Sequence, residues 1–213
     1  MKIAIISDIH DNVWNLRAAM HWLASLQGDE AAQELICCGD LCSPFVLGLL
    51  ANGFPGPIHA VAGNNEGDWR QIMINAAKAN QGRRKEAQIL FYGQFFDGEI
   101  GGKRIAVNHY PEIARTIAAA GKHDLVCFGH NHEYEIRHFG ATLALNPGAL
   151  MGYNPLKDAE IKDVEATFAI YDTGAPDDQA VRFYEVTTPW RSVAEPGTVI
   201  LFERVKETEK GTL

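Results

Sequence analysis

Seven side chains of metal-ligating type punctuate the first 132 residues: Asp8, His10, Asp40, Asn64, His109, His130 and His132. They offer carboxylate oxygens, an amide oxygen and imidazole nitrogens. That mixed donor set suits borderline divalent ions such as Mn, Fe, Zn or Ni, and does not suit Ca or an iron–sulfur cluster. With one aspartate shared, the two aspartates, one asparagine and four histidines suffice for two such ions. Each residue alone has an ordinary explanation. A strand-end aspartate such as Asp40 is commonly a turn or cap residue, and a solitary histidine such as His109 is commonly packed or hydrogen-bonded. Their shared placement carries the signal, because they follow short apolar runs. Asp8 with His10, and His130 with His132, are i, i+2 pairs that an extended segment would aim to one side.

The elements that must position them follow from the apolar pattern. Residues 2–6 read as a buried, β-branched strand stopped by Ser7 and Asp8. Leu16, Ala19, Met20 and Leu23 recur at helical spacing and predict a helix over 13–26. A second strand at 34–38 closes on Gly39-Asp40, a second helix covers 44–52, and a third strand at 58–62 closes on Gly63-Asn64-Asn65-Glu66. Strand, polar loop and helix in repeated rounds predict βαβ units on a parallel sheet. A helix is expected over 68–79, then strands at 88–92, 95–100 and 104–108, with Gly101-Gly102 as a tight turn. A helix over 111–120, a strand at 124–128 and two hairpins (134–139 with 142–145, 166–172 with 180–186) complete the pattern. Carboxyl ends of parallel strands form one edge, and ligands bind there. The seven side chains, from five segments, therefore converge on one edge.

The chain has 213 residues, of which 46% are apolar, so one globular domain that buries roughly 70% of its unfolded surface is expected. Its 19 basic and 27 acidic residues give a net charge of −8. That excludes a general nucleic-acid or anionic-membrane binder, whose footprint is basic. A phosphate substrate stays open, because bound cations reverse the local sign. Cys37, Cys38, Cys42 and Cys127 form no paired CxxC sets, and the amino-terminal apolar run is too short for a signal peptide or a membrane span. A reduced, cytoplasmic setting is expected. The domain is placed at 1–187, followed by an extension at 188–213, partly packed through Val199-Ile200-Leu201-Phe202 and frayed from 207.

Ser7-Asp8-Ile9-His10, Gly39-Asp40, Gly63-Asn64, Asn108-His109 and Gly129-His130-Asn131-His132 resemble the five ordered motifs of the calcineurin-like metallophosphoesterases. Asn146-Pro147-Gly148-Ala149 follows them, and the chain is similar to the small single-domain phosphodiesterase branch over residues 1–187. The resemblance implies the metallo-dependent phosphatase fold, an α/β four-layer αββα sandwich with mixed sheets. It implies that Asp8, His10, Asp40 and His132 hold one divalent ion, manganese first among those above. Asp40, Asn64, His109 and His130 would hold a second, with Asp40 bridging and Asp40, Asn64 and His109 carrying catalysis. The implied reaction is P–O hydrolysis of a small phosphate ester by a bimetal-bridged hydroxide. Asn12, Asn64 and Asn65 are expected to contact the phosphate, with Arg115 and the Arg83-Arg84-Lys85 cluster as further candidates, although that cluster reads more simply as a solvated loop. Cys38 and Cys42 flank Asp40 as core or near-site thiols.

Three departures from the family pattern stand out. Asn65 replaces the histidine assigned as general acid, so dependence on good leaving groups is expected. Tyr110 replaces the usual glycine after His109 and would narrow the mouth, stack on an aromatic substrate group or simply pack. No arginine follows the Asn146-Pro147-Gly148 motif. The resemblance also covers a non-catalytic protein-binding scaffold, and phosphomonoesters or dinucleoside polyphosphates are alternative substrates. A competent residue at every ligand position argues against the scaffold. The homo-oligomeric state is not legible in the sequence.

Overall fold

Side-chain alternation along the first strand sets the layering. In β1 (Lys2–Ile6), Ala4 and Ile6 face one way, Ile3 and Ile5 the other, and all four are fully buried. A strand buried on both faces needs cover on both. In the computed structural model, which describes residues 1–155, 162–188 and 197–202, that cover is helical on one side and a second sheet on the other.

The first sheet grows from β1 in both directions. β2 (Ala32–Cys37), β3 (Ile58–Ala60) and β4 (Ile89–Phe91) continue it in parallel, while β12 (Thr167–Asp172), β13 (Val181–Val186) and β14 (Val199–Phe202) extend the other side with antiparallel pairing. The order is β14-β13-β12-β1-β2-β3-β4. Helices α1 (Val13–Ser25), α2 (Phe45–Gly53) and α3 (Trp69–Asn80) connect the parallel strands and bury Leu16, Leu47 and Ile72 against its outer face. The second sheet runs β5 (Phe95–Ile100), β6 (Lys103–Asn108), β7 (Leu125–Cys127), β9 (Thr142–Pro147), β8 (Tyr134–Phe139), with β6, β7 and β9 parallel. Its outer face packs Ala106, Val126 and Ala144 against Ala114 and Ala118 of α4 (Pro111–Ala119). Three hydrophobic clusters thus separate four layers in the order αββα, the fold class that the family resemblance implies. A short ribbon, β10 (Tyr153–Asn154) with β11 (Lys162–Asp163), stands apart from both sheets.

Element positions follow the apolar pattern closely. The extension beyond residue 187 supplies β14, whose Phe202 enters the inter-sheet cluster. Residues 207–213 lie outside the described residues. Arg83 belongs to no ligand edge: its guanidinium donates to the carbonyls of Ala51, Gly56 and Ala87, bracing the end of α2. Among the described residues no helix is long and apolar enough to cross a membrane.

Phe168 tests the helix-side core. It is fully buried, 5.5 Å from the Tyr184 ring and 5.7 Å from the Trp22 ring. Phe168→Ala should lower unfolding stability by about 3–5 kcal/mol in urea titration while leaving divalent-ion binding by the folded fraction unchanged.

Candidate metal centre

Five loops leave the carboxyl ends of β1, β2, β3, β6 and β7 and carry all seven sequence-flagged residues. Main-chain bonds fix the loops to one another before any side chain acts. Asp8 N donates to Gly39 O at 3.1 Å, and Ile9 N and His10 N both donate to Asp40 O at 3.0 Å. Gly129 N donates to His109 O at 3.0 Å. The two sheets are joined at this edge by His130 N, which lies 3.2 and 3.1 Å from the two carboxylate oxygens of Asp8.

The i, i+2 pairs do not converge through an extended backbone. Asp8, His10, Asp40, His130 and His132 have φ of 52°, 43°, 55°, 75° and 58°, joined by Asp11 at 57° and Cys42 at 69°. These are all the left-handed non-glycine residues described, and each departs from the region that L side chains favour. An extended segment would carry its side chains on past the edge; the left-handed turns fold them back over it. Strain gathered at one place is characteristic of functional sites. Glycines supply the clearance. A Cβ on Gly63 would lie 2.1 Å from Asp40 Oδ1, one on Gly129 2.5 Å from Asp8 Oδ2, and one on Gly39 2.8 Å from His109 Nδ1.

Asp40 is the junction. Its Oδ2 lies 3.2 Å from His10 Nε2 and 3.5 Å from His109 Nε2. On the His10 side, Asp8 Oδ1 lies 3.8 Å from His10 Nε2 and 3.4 Å from His132 Nε2. On the His109 side, Asn64 Oδ1 lies 3.0 Å from His109 Nε2 and 2.8 Å from His130 Nδ1. Asp8 with His10 and His132, and Asp8 with Asp40 and His109, each present donor atoms within 4.8 Å of one another. His109 and His132 direct Nδ1 at the carbonyls of Cys38 and Tyr153, both at 2.8 Å. Donating from Nδ1 leaves the Nε2 lone pair facing the cluster, as a ligating histidine requires. His10 Nε2 is buried without a hydrogen-bond partner although two carboxylates face it. An orphaned imidazole nitrogen beside buried carboxylates fits a divalent cation.

Residues 1–175 match the family model of the calcineurin-like phosphoesterase superfamily domain. The chain belongs to this superfamily. It is 30% identical over 155 residues to the phosphodiesterase MJ0936 of Methanocaldococcus jannaschii, covering 72% of this chain and 86% of that protein. A solved archaeal phosphodiesterase is similar at 27% identity and a TM-score of 0.69, over 86% of this chain and 98% of that one. Vps29 of Entamoeba histolytica, at 18% identity and a TM-score of 0.60, shares the fold over 95% of this chain and 97% of its own. A metallophosphoesterase site uses divalent ions, and the donor set here accommodates them.

The candidate site rests on supports that motif spacing did not reveal. Glu66 accepts from Leu41 N at 3.1 Å and Gly63 N at 2.8 Å, tying the Asp40 loop to the Asn64 loop. Asp11 accepts from Ser43 N and Oγ at 2.8 and 2.6 Å. Asn146, fully buried, donates to Gly129 O and Asn131 Oδ1 and so braces the His130–His132 turn. The glycine before each of Asp40, Asn64 and His130 was the sequence signal for such crowding. Cys42 Sγ lies 3.5 Å from His10 Nδ1, whereas Cys38 is buried between the sheets. Of the proposed phosphate contacts, Asn65 turns both its main-chain N and Nδ2 to the Asp40 carboxylate, at 2.8 and 2.9 Å. Asn12 caps α1 through Oδ1 and donates to Met151 O. Arg115 pairs with Glu135 and lies over the Phe128 ring.

Burial alone would raise the Asp8 and Asp40 carboxyls, but the facing histidines outweigh it and hold both far below the usual carboxylate range. Burial alone would lower His10, but Asp40, Asp8 and Cys42 push it up to about 12, and Asp40 and Asp8 raise His109 as well. The depressed carboxyls stabilise the ion-free fold above their ordinary value of 3.8, and the raised imidazoles stabilise it below 6.5. Chelator-treated protein should therefore be most stable between those values, with Tm falling as pH climbs from 6.5 to 9; differential scanning calorimetry across that range checks the slope. Gly63→Ala should displace the Asp40 carboxylate and weaken divalent-ion affinity on the order of tenfold or more, read by isothermal titration calorimetry, with far-ultraviolet dichroism unchanged.

Proposed function

We propose that this chain is a metal-dependent phosphodiesterase. The observation that carries the reading is the Asp40 carboxylate, buried between His10 on one side and His109 on the other, so that one group serves two adjoining donor sets. Asp8, His10, Asp40 and His132 would hold one ion, and Asp40, Asn64, His109 and His130 the other, with manganese proposed first and Fe, Zn or Ni as alternatives for this mixed donor set. When bound, divalent ions polarise the phosphoryl oxygens and make water a stronger nucleophile near neutral pH. The chain's own part is to fix the donors and orient the ester. Asn65 holds the Asp40 carboxylate in place, and Asn64, its Oδ1 turned to His109 and His130, keeps its amide nitrogen for a phosphoryl oxygen.

The superfamily supports a hydrolase of phosphate esters, and the Methanocaldococcus relative, named a phosphodiesterase, supports the diester class. Position 65 agrees. An asparagine there cannot protonate a leaving group, which disfavours monoesters and favours diesters that carry good leaving groups. The described cysteines are all free, in keeping with a reduced, cytoplasmic setting. The Vps29 likeness raises a protein-binding role, but a chain used only as a scaffold has no need of strained backbone at five ligand-type residues.

The test is hydrolysis of bis(p-nitrophenyl) phosphate with Mn²⁺. Wild type should turn it over, and Asp40→Asn should lower kcat on the order of a hundredfold or more. Equal rates for the two proteins across several metals would overturn the reading.

A further inference from the structure

Asn65 has no titratable proton to offer a departing oxygen, and nearby polar groups are largely committed. Asn65 itself is spent on Asp40, Asn12 on Asn15 N and Met151 O, and Arg115 on Glu135. Tyr110 differs. Its ring stands edge-on to two of the candidate ligands, with centroids 5.3 Å from His109 and 5.1 Å from His130. Its main chain is pinned on both sides, N donating to Asn108 Oδ1 at 3.0 Å and O accepting from Ala114 N at 3.0 Å as α4 begins. The residue is half-buried, and its hydroxyl makes no hydrogen bond within the described residues. A phenol held by backbone and ring packing beside two imidazoles, with its one polar atom unengaged, is preorganised to donate to a substrate.

We infer that Tyr110 is a catalytic residue whose hydroxyl donates a hydrogen bond to the departing ester oxygen of a phosphodiester. This rests on the phosphodiesterase reading above. In the reaction a water oxygen bonds to phosphorus while the P–O bond to the leaving group breaks and its electron pair stays on the departing oxygen. The Tyr110 hydroxyl stabilises that charge without surrendering its proton; the attacking water releases one proton to solvent as it bonds, and solvent returns one to complete the alcohol or phenol. The main-chain fixing and the contacts with His109 and His130 place the ring; the hydroxyl supplies the chemistry.

The experiment compares wild type, Tyr110→Phe and Tyr110→Ala on aryl methyl phosphates bearing p-nitrophenyl, p-chlorophenyl and phenyl leaving groups, with Mn²⁺. Tyr110→Phe keeps the ring, so its manganese content by elemental analysis and its Tm should equal those of wild type. Its kcat/KM should fall on the order of tenfold for the phenyl ester and about twofold or less for the p-nitrophenyl ester, because a hydrogen bond matters most where charge on the leaving oxygen is greatest. Identical rates for Tyr110→Phe and wild type, an equal loss for every leaving group, or a loss of manganese would each overturn the assignment; so would Tyr110→Ala losing no more than twofold on the phenyl ester. Wild type that hydrolyses none of the esters with any metal would overturn the phosphodiesterase reading itself, and this inference with it.

Discussion

Two carboxylates, Asp8 and Asp40, lie 0% and 1% exposed at the joined edges of two sheets, surrounded by imidazoles. Unpaired, such burial is prohibitive, because desolvating a carboxylate costs several kcal/mol even after relaxation. The rest of the structure is organised around that constraint. His10, His109 and His132 face the carboxylates, Asn65 donates twice to Asp40, and His130 N bonds Asp8. The carboxylates in turn raise the imidazoles of His10 and His109, so that charge is balanced within the cluster.

The strain needed to gather these groups is held by what lies beneath. Each loop begins at the buried end of a strand, and β1 and β2 are covered on both faces by large apolar clusters. A left-handed aspartate or histidine costs of order 1–3 kcal/mol, and it persists only where its surroundings over-determine it. Main-chain bonds between loops, the carboxylate of Glu66 spanning two of them, and the buried amide of Asn146 provide that determination. Cover by α4 extends the same logic to the second sheet, and it also delivers Tyr110 to the centre, since that residue caps the helix that follows His109.

Much of the layout was legible in one dimension. The 3.6-residue spacing of Leu16, Ala19, Met20 and Leu23 predicted α1, and the β-branched run ending at Ser7 predicted β1, because local propensity and tertiary burial agree there. Ligand-type residues at strand ends were visible for the same reason: parallel sheets place their functional groups at one edge. The manner of convergence was not visible. An i, i+2 spacing read as extended alternation, and the chain instead turns left-handed at those residues, a choice set by contacts between loops distant in sequence. The occupation of Asn12 and Asn65 was equally hidden, because an amide's partners are decided by whichever loop packs beside it.

By itself, then, the sequence determined the α/β layering, the identity of the ligand-type side chains and the absence of a titratable group at position 65. Each of these depends on residue type and short-range periodicity. Only the tertiary structure decided that Asp40 stands between two donor sets, that three glycines leave clearance for its neighbours, and that Tyr110 lies against His109 and His130. Those facts arise where loops from both sheets meet at one edge and bring together residues as far apart as Asp40 and His109, 69 positions along the chain. No local pattern encodes such distances; they are set by how the two sheets pack.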